Sequence, residues 1–329
     1  MRLKFDPFIL FLFCAIIIAY LLPDLVLIQD GNLIEMATSI GVALIFFFYG
    51  LKLSFQKIKD GLQNWRLHIA VQSYTFVLFP LLVIAFRPLI QNALQEQFWL
   101  SFFFLAALPS TVSSSVVMVS IAKGNIPAAI FNASISGLIG VIVTPLWMQF
   151  FLDFGEVDVL GDVYLGLIYE IILPVIAGLF LQRFLGAWAA KYNKALSNFD
   201  KAIILLIVYS SFAESFVSGI FNSIDASYLV GVFVVTIVLF FVVWLVVDFI
   251  NKRFLRFNRA DRITALFCGS KKSLTHGSVF GKFLFVNTTS AGLYFLPLMI
   301  FHAFQILVVT IIAQRYHKEA ELAEQLTKD

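Results

Sequence analysis

Apolar runs long enough to cross a bilayer recur along this chain, and that recurrence limits the fold more than any other feature. After a first run from Phe8 to Leu22 they fall at about 36–54, 66–86, 98–121, 126–152, 163–185, 202–221, 227–250, 262–285 and 289–313. Most have the roughly 20 residues a helix needs to span about 30 Å of hydrocarbon. Lipid offers no partner to a free backbone N–H or C=O, so runs that cross it are helical. With 60% hydrophobic residues, 13% charged residues and 38 phenylalanines, an ordinary aqueous domain is excluded. The basic start (Arg2, Lys4) mimics a secretory signal, but Leu21-Leu-Pro-Asp24 follows in place of a small-residue cleavage site. The fold reading is an all-α polytopic membrane protein of ten helices.

Charge orients the spans. Nineteen of the 23 Lys and Arg fall at the two termini or in the loops after spans two, four, six and eight. Lys52, Lys57, Lys59 and Arg66 form one such group, and Lys252, Arg253, Arg256, Arg259 and Arg262 another. The alternate loops carry acids, with Asp24, Asp30 and Glu35 in one and Asp153, Glu156, Asp158 and Asp162 in another. The positive-inside rule then puts both termini in the cytoplasm. Only Arg87, Lys271, Lys272 and Lys282 break the pattern.

Ten spans divide into five and five, and an odd-numbered half inserts upside down relative to its twin. The division expected is residues 1–155 and 156–314 as inverted five-helix repeats, with a cytoplasmic tail at 315–329. Folds of this kind place their sites at the midplane, where broken helices meet.

Two runs fit such a site. Phe267-Cys-Gly-Ser-Lys-Lys-Ser-Leu-Thr-His-Gly-Ser278 puts Lys271 and Lys272 inside the ninth apolar run. Each lysine costs roughly 2.5–3.5 kcal/mol at a helix centre on insertion scales. Gly269, Gly277 and Gly281 weaken a continuous helix there. Irregular polar backbone at that depth persists only where it is buried in protein or lines a wet cavity. Span four, the partner of span nine under the repeat, carries Leu108-Pro-Ser-Thr-Val-Ser-Ser-Ser-Val116, with Pro109 to break it. The candidate site residues are Ser270, Lys271, Lys272, Ser273 and His276 from one run, and Thr111, Ser113, Ser114 and Ser115 from the other. Small hydroxyl residues also let helices pack closely, and a re-entrant structural loop is the alternative for the lysine run.

Other polar residues lie within spans. Glu214 in span seven needs a partner, and Lys271 or Lys272 is the cation expected; Glu170, one turn before Pro174, is a second carboxylate. Thr75 in span three and Asn132 in span five are further cavity-lining candidates, with packing as the alternative. The tryptophans at 65, 99, 147, 188 and 244 mostly fall near span ends and read as interfacial anchors. Cys14 and Cys268 offer neither a disulfide framework nor a metal-ligand spacing. No phosphate loop, zinc-protease motif or nucleophile elbow appears, so an enzyme reading has no motif to rest on.

The motifs Trp65-Arg-Leu-His68, Thr75-Phe-Val-Leu-Phe-Pro80, Ala122-Lys-Gly-Asn125, Phe267-Cys-Gly-Ser-Lys-Lys-Ser-Leu274 and Pro297-Leu-Met-Ile-Phe-His302 carry a resemblance. Over nearly its whole length the chain resembles the bile acid:sodium symporter superfamily. It is most similar to the branch of bacterial transporters and the seventh animal member of the sodium–bile acid cotransporter family. The resemblance implies core and panel domains, with helices four and nine unwound and crossing. Sodium-coupled members carry Glu-Val-Gly-Met-Gln-Asn-Ser in the ninth span. Phe267 stands where that Glu would be, Lys271 where the Gln would be and Lys272 where the Asn would be. Thr75 takes the place of a sodium-binding Gln in span three, and Ser115-Val116 that of a Ser-Asn pair. One carboxylate is replaced and two ammonium groups are added, which opposes sodium binding.

The implied function is secondary transport of a small organic anion (bile-acid-like, steroid-conjugate or carboxylate) across the bilayer by alternating access. No bound cofactor is expected; sodium or a proton is the possible coupling ion, and Lys271 is the residue expected in the sodium position. No nucleic-acid partner is implied. The alternatives are a non-transporting membrane regulator or scaffold on the same fold, and an intramembrane enzyme built around Glu214, Ser273 or His276.

Overall fold

In the computed structural model the regular elements of the described residues are all helical. The structure describes residues 7–26, 32–53, 64–152, 161, 164–285, 288 and 290–326. Several charged positions used above to orient the chain (Arg2, Lys4, Asp30, Lys57, Lys59, Asp153, Glu156, Asp158 and Asp162) lie outside them. Six described segments are long and apolar enough to cross a membrane: Leu33–Lys52, Trp65–Leu89, Ile126–Met148, Tyr164–Lys191, Ala226–Leu255 and Ala291–Leu322.

The helices are α1 (Pro7–Leu21), α2 (Asn32–Lys52), α3 (Trp65–Ser73), α4 (Phe79–Ile84), α5 (Ala93–Ala107), α6 (Ser113–Ile121) and α7 (Ile126–Met148). They continue as α8 (Leu173–Lys191), α9 (Asn193–Val217), α10 (Ala226–Ile250), α11 (Arg259–Gly269), α12 (Leu274–Leu284) and α13 (Ala291–Leu326). Wide π turns at Tyr74–Leu78 and Ile168–Ile172 precede Pro80 and Pro174. A proline supplies no N–H to the turn before it, and the helix widens to accommodate the ring.

The helices fall into two packed groups. In one, α1 lies along α9 and α2 lies along α8 and α9. Gly50 and Gly178 allow the α2–α8 contact: a Cβ on Gly178 would lie 2.1 Å from the Phe47 carbonyl, and one on Gly50 2.3 Å from that of Val175. The second group packs α3 against α11, α5 against α4 and α13, α7 against α6 and α12, and α10 against α13. The groups meet along a seam where α9 faces α12 and α13. There the Gly292 N–H donates to Ser215 Oγ at 2.9 Å.

One end of the second group is tied by a carboxylate. Asn64, Asn125 and Asn258 are the N-caps of α3, α7 and α11, each accepting from the first turn of its own helix. Their amide nitrogens all donate to the Asp261 carboxylate, at 2.9, 2.7 and 2.9 Å. Three helix N-termini are thereby fixed to one buried acid, which their dipoles also favour.

Two sequence readings change here. Gly277 and Gly281 do not interrupt a helix; both lie within α12, where they permit close packing. A Cβ on Gly277 would sit 2.4 Å from Leu298, and one on Gly281 2.5 Å from Phe295. Trp99 is buried and donates to the Val83 carbonyl at 3.0 Å instead of standing at the rim, while the half-buried Trp147 donates to the Phe76 carbonyl at 2.8 Å.

Candidate functional site

The two polar runs break their helices and touch. Leu108 is extended (φ −70°, ψ 153°) because the ring of Pro109 disfavours a helical residue before it, and this ends α5. The chain resumes as a helix at Ser113, so the interruption covers Leu108–Val112, slightly earlier than the Thr111–Ser115 centre expected. In the other run α11 ends at Gly269 and Ser273 caps α12, its Oγ accepting from the His276 N–H at 3.3 Å. Across the breaks, the Ser273 N–H donates to the Pro109 carbonyl at 2.9 Å. Ser110 N–H donates to Ser136 Oγ at 3.0 Å, and Ser115 Oγ to the Phe267 carbonyl at 3.2 Å.

Lys272 occupies the centre. Its ammonium donates to the carbonyls of Thr75 at 2.8 Å, Ala106 at 2.6 Å and Leu108 at 2.8 Å, and lies 4.3 Å from the Phe79 ring centroid. These acceptors are free for local reasons. Ala106 and Leu108 end a helix and have no later turn to bond. In the π turn the Phe79 N–H reaches back to the Tyr74 carbonyl. Pro80, next in line, has no N–H, which leaves the carbonyls of Thr75 and Phe76 to Lys272 and Trp147. The C-terminal end of α5 adds the negative pole of its dipole. Gln305 clamps the same residue's backbone, accepting from Lys272 N–H at 3.0 Å and donating to its carbonyl at 2.7 Å.

Lys271 points elsewhere, as adjacent residues at a helix end do. Its ammonium donates to Ser114 Oγ at 2.7 Å, and that hydroxyl donates to Thr111 Oγ1 at 2.9 Å. Thr111 and Ser115 share a hydrogen bond at 2.8 Å, so the line runs from Lys271 to the Phe267 carbonyl. Both lysines are fully buried. The three carbonyls thus hold Lys272 and the hydroxyl line holds Lys271, because the chain turns after Gly269 and sends the two side chains apart.

The remaining candidates separate. Ser270 Oγ turns back to the Leu266 carbonyl at 2.6 Å, and Thr75 offers its carbonyl while its hydroxyl bonds Val71 O. His276 Nδ1 meets Ser273 Oγ at 2.9 Å, its ring among Phe46, Tyr49 and Phe280. Asn132 is bonded to His68 and Gln72 within the second helix group. Ser113 opens α6. Glu214 does not pair with Lys271 or Lys272: it lies three residues from the end of α9 at Val217, its side chain is exposed, and both ammonium groups are bonded elsewhere. Glu170 instead pairs with Lys282 at 3.0 Å.

Gln305 and Ser136 were not singled out from the sequence. Gln305 left a signal, an amide within the apolar Phe304–Val309 stretch. The carbonyls left none, because every residue carries one.

Comparison with known proteins identifies the family. The model of the SBF-like CPA transporter family matches residues 6–318. A Pseudomonas aeruginosa protein without a functional name is 39% identical over 96% of this chain and 94% of its own length. An Escherichia coli protein bearing the name "Putative symporter YfeH" is 36% identical over 96% of this chain and 94% of its own. Sodium/bile acid cotransporter 7 of Danio rerio is 28% identical over 84% of this chain and 82% of its own. With its apolar helices, this makes the chain an integral membrane protein that belongs to the SBF-like CPA transporter family.

Proposed function

We propose that the protein is a secondary transporter that moves an organic anion across the membrane by alternating access, with the Lys272 ammonium in place of a bound sodium ion. The observation that carries the reading is the seating of Lys272 on three backbone carbonyls where two interrupted helices touch. Carbonyls freed by broken helices are the groups that coordinate monovalent cations in transporters. A fixed ammonium meets that demand without an ion from solution.

The finer architecture follows from the same reading. Ten spans form two inverted repeats, 1–155 and 156–314, with both termini cytoplasmic. The group holding α1, α2, α8 and α9 is the panel, and the remainder is the core. The pairing of α1 with α9 and of α2 with α8 supports the repeat, since an exchange of halves converts span pair one–seven into six–two. The names of the symporter and bile acid cotransporter relatives favour an amphipathic anion.

The test is uptake of radiolabelled taurocholate and a steroid sulfate into proteoliposomes under imposed sodium, proton or no gradient. Uptake by the wild type that is the same with sodium and with choline supports the reading. No uptake of either anion, or uptake strictly dependent on sodium, overturns it.

A further inference from the structure

We propose that Lys282 reads the negative group of the transported anion, and that Glu170 is the resident carboxylate the anion displaces. The proposal rests on the transporter reading above and goes beyond it by naming the residue pair and the event.

Four cations depart from the charge pattern of the loops: Arg87, Lys271, Lys272 and Lys282. The ammonium groups of Lys271 and Lys272 are enclosed and bonded, so no solute reaches them. Arg87 is held against Trp99 and Phe151 and paired with Glu96 at 3.3 Å. Lys282 differs. Its side chain keeps 17% of its surface and that of Glu170 keeps 21%, so the pair is partly wet.

Its place is the second argument. Lys282 lies on α12 in one helix group, while Glu170, in the π turn before α8, and Ser39, on α2, belong to the other. The ammonium donates to both Glu170 oxygens, at 3.0 and 3.3 Å, and to Ser39 Oγ. Gly166, one turn before Glu170, closes against the Phe283 ring, where a Cβ would come within 2.8 Å. The pair therefore bridges the two bodies whose separation a transport cycle requires.

The chemistry follows from charge. Burying an uncompensated anion is costly, and truncating one member of a buried pair strands the other. An anion that replaces a carboxylate on an existing ammonium avoids that cost at the lysine, because one charge-assisted bond is exchanged for another. The exchange also breaks the tie across the seam. Binding and loosening are then one event, as a ligand-driven shift requires.

The experiment uses protein in nanodiscs, with Cys14→Ser and Ser39→Cys, and a water-soluble maleimide. The thiol of the Ser39→Cys protein is expected to label slowly. Labelling should rise at least fivefold on adding Glu170→Gln, and in the parent on adding taurocholate, but not with taurocholate when Lys282→Gln is present. In proteoliposomes Lys282→Gln should raise the KM for taurocholate at least tenfold, and Lys282→Arg should restore it. Labelling indifferent to Glu170→Gln or to taurocholate overturns the proposal, as does an unchanged KM in Lys282→Gln. Absence of uptake by the wild type sinks the anion-transport reading itself. Wild-type uptake indifferent to Lys282→Gln sinks this inference alone.

Discussion

The ammonium of Lys272 lies 2.6 Å from the carbonyl oxygen of Ala106, the last residue but one of α5. A cation from the break between α11 and α12 thus closes the C-terminal end of α5. With the carbonyls of Thr75 and Leu108 it makes a three-oxygen seat inside a fully buried centre.

Removing that ammonium leaves three acceptors without a donor. Lys272→Met is expected to lower stability by on the order of 1–3 kcal/mol for each carbonyl left unbonded. Lys271→Met should cost less, because Ser114 keeps its bond to Thr111. Thermal unfolding in detergent ranks the two; a larger loss for Lys271→Met contradicts the assignment of the seat to Lys272.

The emptied seat should become a cation site. Lys272→Ala is expected to melt several degrees higher in sodium chloride than in choline chloride, whereas the wild type should melt at the same temperature in both. A ligand that binds only the folded state stabilises it by RT ln(1 + [L]/Kd), which grows with its concentration. Sodium stabilisation of the wild type equal to that of the variant would show that Lys272 fills no ion's place.

Gln305 holds the Lys272 backbone by one donated and one accepted bond. Gln305→Leu should destabilise by about 1–3 kcal/mol for each of the two groups it leaves unpaired, a buried N–H and a buried C=O. Gln305→Glu retains the acceptor and should fall between the two. An unaffected unfolding midpoint for Gln305→Leu would remove the clamp from the account.

Asp200 gives a pH signature. Burial pushes its carboxyl up to about 6 from the usual 3.8, and Lys52, 3.9 Å away, offsets only part of that. A carboxyl whose folded value is raised favours the folded state most when protonated. Its contribution is therefore full below about 4 and is lost as pH rises through about 6. Asp200→Asn should raise the melting temperature above pH 6, with the difference from the wild type vanishing near pH 4. Melting curves across that range that stay parallel would contradict it.

Membrane residence, all-helical class and the two helix breaks are decided by local sequence. Apolar runs in lipid leave the backbone no alternative to internal hydrogen bonds. Pro109 stops α5 at Leu108 through contacts with its immediate neighbour. The need of two lysines at that depth for polar surroundings is likewise a property of the side chain and the solvent. Which lysine takes the carbonyls is not local. It depends on where the chain turns after Gly269, and on the carbonyl that Pro80 leaves free at Thr75, 197 residues away in sequence. Glu214 shows the same limit. Its distance along an apolar run suggests depth, yet α9 ends at Val217 and leaves the side chain exposed. Gln305 meets the Lys272 backbone, and Glu170 meets Lys282, only because distant helices are folded against each other. Sequence spacing carries the period of one helix and the affinity of one side chain for its solvent. The partner a buried charge finds is decided by packing between helices, and only the tertiary structure contains it.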